Sequence, residues 1–197
     1  MELGLKGKVA LVTGSSRGIG RGIALAFAAE GCDLMLTGRD ARALDDVAQS
    51  IRGKGRKVAV MVLDLREPST AETLVAIGGT SGRKPEKRFT IGSSVNAAVA
   101  AFTKCLADLG KEDGVRVNCI HPSLVETERQ WRRIRAEVER TGEPEAKVRA
   151  QFCRETGIIR YGKVEDVADF VTFIVSARAT WLHGATVDLD GGEIPVL

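Results

Sequence analysis

The run Thr13-Gly14-Ser15-Ser16-Arg17-Gly18-Ile19-Gly20 constrains this chain more than any other. The apolar segment Val9-Ala10-Leu11-Val12 precedes it, and a helix-patterned stretch from Ile19 to Ala29 follows. That order is strand, glycine turn, helix. Glycines let a backbone turn sharply and approach a bulky anion closely. The start of the following helix adds unpaired N–H groups and the positive end of its dipole. The turn therefore predicts a pyrophosphate site, with Gly14, Ser16, Arg17, Gly18, Ile19 and Gly20 as the residues that would line it.

The rest of the chain reads as strands alternating with helices. Strands are expected over residues 8–13, 33–37, 57–63, 115–120 and 186–189. Helices are expected over 18–30, 41–52, 93–109 and 164–175. The first three strands lack clean alternation and are rich in Val and Leu, which predicts burial on both faces. Alternation of this kind gives an α/β, Rossmann-like, doubly wound parallel sheet with right-handed crossovers. At 197 residues the chain fits one domain, taken here as residues 1–197.

Composition removes several function classes. Lysine and arginine exceed aspartate and glutamate by 29 to 26, a net charge of +3 that is too small to argue for nucleic acid. No apolar run approaches the roughly 18 residues of a membrane span, and the N-terminal residues form no apolar leader core. Cys32, Cys105, Cys119 and Cys153 are scattered, with no Cys-x-x-Cys pair. Reduced thiols in a cytoplasmic protein are expected, without disulfide or metal.

Five motifs, in order, make the chain resemble the short-chain dehydrogenase/reductase family. They are the glycine turn, Asp64-Leu65 after strand 3, the Val115–Pro122 strand, Arg160-Tyr161-Gly162-Lys163 before a helix, and Gly184–Gly192. The resemblance implies an oxidoreductase that moves hydride between a nicotinamide cofactor and a carbonyl or alcohol. The substrate would be a small molecule and the assembly a homodimer or tetramer. It also implies cofactor contacts from Asp64, Leu65, Pro122, Val125 and Thr127.

Arg39 follows strand 2 where an acidic residue would bind the ribose hydroxyl of NAD. With Arg17 it favours NADP over NAD, since a guanidinium fork matches phosphate oxygens. Two solvated surface arginines are the other reading. Asp40 is a candidate cap for the next helix.

The family's catalytic Tyr-x-x-x-Lys pair is absent: four residues beyond Tyr161, the single tyrosine, stands Glu165. Alignment on the helix from Ala97 to Lys104 puts Gly79, Gly92 and Asn96 at the family's serine, tyrosine and lysine positions. Ser81, Ser93 and Asn96 are the weak catalytic candidates left, with helix capping as an equal reading of the serines. A catalytically inactive dinucleotide-binding relative is the alternative these departures leave open.

A second departure follows residue 76. The family's next strand and helix are missing, and the chain runs directly into Ile77-Gly78-Gly79-Thr80-Ser81-Gly82. Leu74–Ile77 is the candidate replacement strand beside strand 1. Residues 126–152 occupy the family's substrate-lid position. Trp131, Ile134 and Val138 form one stripe, facing either an apolar substrate or the protein's own core.

Overall fold

The computed structural model describes residues 3–61, 73–87 and 89–195. Contacts group them into two compact units, one from Met1–Ala71 with Val164–Trp181, the other from Glu72–Lys163 with Leu182–Leu197.

In the first unit, β1 (Val9–Thr13), β2 (Asp33–Thr37) and β3 (Val58–Met61) form a parallel sheet in that order. Helices α1 (Gly18–Ala29) and α2 (Ala41–Arg52) connect them, and α6 (Val164–Val175) packs on α1. Leu44, Val47, Ala48 and Ile51 recur at helical spacing on α2 and are all buried. Asp40 accepts a hydrogen bond from the Ala43 N–H at 3.1 Å, so it caps α2 as its position predicted.

On β2, Leu34 and Leu36 bury one face and Thr37 is buried on the other, where Met35 is half-buried, but the expectation of burial on both faces fails on β1, where Val9 is 76% exposed. Among the described residues β1 has one ladder partner, β2. An edge strand keeps part of its apolar surface open.

In the second unit, β4 (Thr73–Ile77), β5 (Arg116–Pro122) and β6 (Thr186–Leu189) form another parallel sheet in that order. Leu74–Ile77 is thus a strand, paired with β5, with Ile77 opposite Ile120. Helix α3 (Thr90–Asp113) packs on β5 and on residues 80–82, and its buried residues are Ser93, Thr103, Ala107 and Gly110. It starts three residues before the expected Ser93. Ser93 therefore lies inside the helix rather than at its N-cap, and its Oγ accepts the Glu86 N–H at 3.3 Å.

Residues 126–152 divide into α4 (Glu128–Thr141) and the start of α5 (Glu145–Thr156). The break falls at Gly142, whose φ of +70° ends α4, and at Pro144, which precedes α5. Ile134 packs with Val148, Phe152 and Tyr161, and Trp131 and Val138 border that cluster. The stripe is thus spent on the helices' own core.

Candidate functional site

The cofactor turn sits between β1 and α1 in the first unit. Gly14 and Gly18 have φ of +63° and +58°, a region side-chain-bearing residues rarely enter. At Gly20 the requirement is space: a Cβ there would lie 2.4 Å from the Gly14 carbonyl oxygen. Ser15 is buried and ties the turn to the end of β2, its N–H donating to the Thr37 carbonyl at 3.1 Å. Arg17 is the exposed N-cap residue of α1, with no side-chain cap across the first turn. The N–H groups of that turn therefore face outward for an anion. Gly22 fixes how closely α6 approaches, since a Cβ would fall 2.1 Å from Val164 Cγ1.

Arg39 is exposed, one residue beyond Gly38 at the end of β2. Ser16 is half-buried and Ile19 lies in the first turn of α1. Turn and β2 end thus bring together Gly14, Ser16, Arg17, Gly18, Ile19, Gly20 and Arg39 in one unit. Asp64 and Leu65 lie outside the described residues.

The second unit holds the other candidates. Asn96 Nδ2 donates to Ser81 Oγ at 2.9 Å, and Ser81 is buried. The structure therefore joins two of the three weak candidates. Ser93 is also buried but bonds to the loop at Glu86. Pro122 ends β5, Val125 bridges to Gly162, and Thr127 is the extended N-cap residue of α4.

Three glycines around Ser81 have their empty space filled by neighbours. A Cβ on Gly78 would lie 2.6 Å from the His121 ring, one on Gly79 2.8 Å from Asn96 Nδ2, and one on Gly92 2.1 Å from the Phe89 ring. Sequence reasoning found Gly79, Gly92 and Asn96 but missed His121 and the covering role of Phe89. The Gly78-Gly79 pair was the available signal, since paired glycines just past a strand end leave volume that a neighbour can occupy.

His121 is fully buried, and burial holds its imidazole below the usual histidine pKa; Arg83 adds to this and Asp188 opposes it. Asp188 in turn pairs with Arg83, and Glu193 accepts from Ser123. Tyr161 is 4% exposed, and burial pushes its phenol above its usual pKa. Arg149 lies 4.7 Å from the Trp131 ring and 4.9 Å from the Tyr161 ring, and it pairs with Glu126. The single tyrosine is therefore packed into the α4–α5 core. All four cysteines are free; Cys32 and Cys119 are buried, and Cys105 is exposed. Among the described residues no cluster of three or more His, Cys, Asp or Glu is arranged for a metal, and no helix is long and apolar enough to cross a membrane.

A parallel α/β sheet whose first strand leads through this glycine turn into a helix defines a dinucleotide-binding protein. The short chain dehydrogenase family model matches residues 8–77, and a second, described as enoyl-(acyl carrier protein) reductase, matches residues 78–193. The chain belongs to the short-chain dehydrogenase/reductase family, a family of oxidoreductases. It is 26% identical to an uncharacterized oxidoreductase of Mycobacterium tuberculosis, over 95% of this chain and 92% of that protein. It is 24% identical to the 3-oxoacyl-[acyl-carrier-protein] reductase FabG of Pseudomonas aeruginosa, over 96% and 98%. The L-sorbose reductase of Gluconobacter frateurii, solved with NADPH and L-sorbose, superposes with a TM-score of 0.88 at 24% identity, covering all of both chains.

The alignment with the M. tuberculosis protein runs over 253 positions, so at least 56 of them (253 less 197) face a gap in this chain. The two family matches meet between Ile77 and Gly78, beside the junction where the sequence lacks a strand and helix.

Proposed function

We propose that the protein is an NADP(H)-dependent oxidoreductase that moves hydride between the cofactor and a small carbonyl or alcohol substrate. The glycine turn carries this reading, because Gly20 lets the start of α1 pack against the Gly14 carbonyl, which a Cβ would strike, and the first turn of α1 carries no side-chain cap. The nicotinamide, when bound, supplies or accepts the hydride. Gly14, Ser16, Gly18, Ile19 and Gly20 hold the pyrophosphate, and Asp64 and Leu65 the adenine side. Pro122, Val125 and Thr127 contact the nicotinamide side. Arg17 and Arg39 hold the ribose 2′-phosphate, which supports NADP over NAD. NADP(H) in the structures of similar folds supports the same choice.

On the substrate side, Ser81 is the group we assign to the carbonyl oxygen. Because Ser81 Oγ accepts from Asn96, its own O–H is free to donate to the substrate. That bond polarises the carbonyl and stabilises the developing alkoxide, and water supplies the proton. Residues 126–152 form the lid, and the chain works in solution as a cytoplasmic homo-oligomer. NADPH oxidation across a panel of ketones, sugars and aldehydes, compared with Ser81→Ala, tests the reading; equal rates for the two proteins would remove Ser81 from it.

A second reading is favoured by the plugged glycines: a dinucleotide-binding protein that catalyses nothing. Saturable NADPH binding with no turnover on that panel would select it.

A further inference from the structure

Helix α4 carries five arginines, at positions 129, 132, 133, 135 and 140. Three are neutralised on the helix itself. Arg132 and Arg135 pair with Glu128, at 3.5 and 2.6 Å, and Arg140 pairs with Glu137 at 2.6 Å. Arg129 and Arg133 form no ion pair among the described residues and rest on aromatic rings instead. Arg129 lies 5.7 Å from the centre of the Phe89 ring, and Arg133 4.7 Å from that of Phe152. The two stand one turn apart on the same face of α4. Like charges at that spacing cost a helix stability, and a bound anion offsets the cost.

The place of Arg129 says where that anion would go. Phe89, the ring beneath it, is the one that fills the tyrosine position at Gly92, where a Cβ would fall 2.1 Å from the ring. Arg129 also lies two residues beyond Thr127, in the segment assigned above to the nicotinamide side. Thr127 makes no side-chain cap, so the N–H groups of this first turn add to the positive field. Glu128, the acid of the same turn, is spent on Arg132 and Arg135. Phe89 and Arg129 are both exposed, which leaves the cation open to a ligand.

We infer that Arg129 binds a carboxylate on the substrate, so that the compounds taken at this site are short oxo acids and the matching hydroxy acids. The inference rests on the oxidoreductase reading above and adds the substrate's charge to it. A guanidinium suits the task, because its forked donors match the two oxygens of a carboxylate while its flat face stays on the Phe89 ring. The carbonyl of the same molecule goes to Ser81. Arg133 stays on Phe152 and contributes its charge without contact.

Calorimetric titration of the full chain, with NADP present, tests this with 2-oxobutanoate, 3-oxobutanoate and 4-oxopentanoate, each beside its methyl ester. At least one acid should bind about tenfold or more tightly than its ester, the scale of a charge-assisted hydrogen bond. Added salt should weaken the acid and leave the ester unchanged. Arg129→Met should bring that acid down to its ester without altering the ester or the thermal melt; if it fails to fold, Arg129→Gln carries the same expectation. Arg132→Met removes an equal charge from the same helix and should leave the preference intact. Absence of acid binding, equal binding of acid and ester in all three pairs, a preference that survives Arg129→Met, or one lost equally in Arg132→Met overturns the inference. NADPH oxidation with the same acids separates the two readings: acid binding at Arg129 without turnover upholds the anion site and removes hydride transfer.

Discussion

Glycines do opposite work in the two units. In the cofactor turn, Gly20 keeps space that the backbone itself needs, and a Cβ would strike the Gly14 carbonyl. Around Ser81, the space at Gly78, Gly79 and Gly92 is taken by His121, Asn96 and Phe89. The first set preserves a cradle for a ligand. The second has packing at Gly79 and Gly92, the positions that the resemblance gives to the family's serine and tyrosine. On the proposed function the binding half of the family pattern is kept here while the reacting half is rebuilt, and the two should respond differently to mutation.

The largest effect should come from the first set. Gly20→Val should abolish NADPH binding in a fluorescence titration, a loss of at least about 100-fold, because overpacking against backbone costs about 1–3 kcal/mol and displaces the phosphate N–H groups. Retained affinity would break the comparison at its stronger end. Gly22→Ala tests the same rule without the ligand. It should lower stability by about 1–3 kcal/mol in urea unfolding, and Val164→Ala should recover most of that loss.

In the second set the obstacle is a side chain, so a second substitution can remove it. Gly92→Tyr alone should destabilise the protein, and Gly92→Tyr with Phe89→Ala should not. Adding Asn96→Lys to that pair restores the family's tyrosine and lysine and should raise NADPH-dependent ketone turnover by about tenfold or more, within the range of a positioned proton donor. No gain would mean the departure lies deeper than these positions.

Acid offers a gentler probe. Burial lowers the His121 pKa in the folded chain, so the unfolded chain binds its proton more readily. The stability this gives is complete above the unfolded value of about 6.5 and is lost as pH falls toward the folded value. His121→Gln should flatten that part of a stability-against-pH curve. The smallest effect belongs to the exposed cap: Asp40→Ala should cost about 1 kcal/mol in thermal unfolding and leave NADPH affinity unchanged.

The binding half was legible because its signals are local. The glycine turn, the Asp40 cap and the 44, 47, 48, 51 spacing on α2 each act within a few residues. The reacting half was less so. That Gly79 and Gly92 replace reacting residues can be read by alignment, but that Phe89 and Asn96 fill their space depends on how a loop meets α3. The pairing of Leu74–Ile77 with β5 was not legible for a related reason. Strand pairing is a long-range choice, and the apolar run alone does not name its neighbour. His121 lies within the Val115–Pro122 motif but was not singled out, because its ring packs against Gly78, which is 43 residues away (121 less 78) just past the end of the adjacent strand.

The most direct test is a titration of the purified full chain with NADPH and, separately, NADH, followed by nicotinamide fluorescence, for wild type, Arg39→Ala and Gly20→Val. Saturable binding with NADPH preferred, a preference reduced about tenfold by Arg39→Ala and all binding lost in Gly20→Val, is the predicted result. Absent or non-saturable NADPH binding by a protein that melts cooperatively would contradict the account.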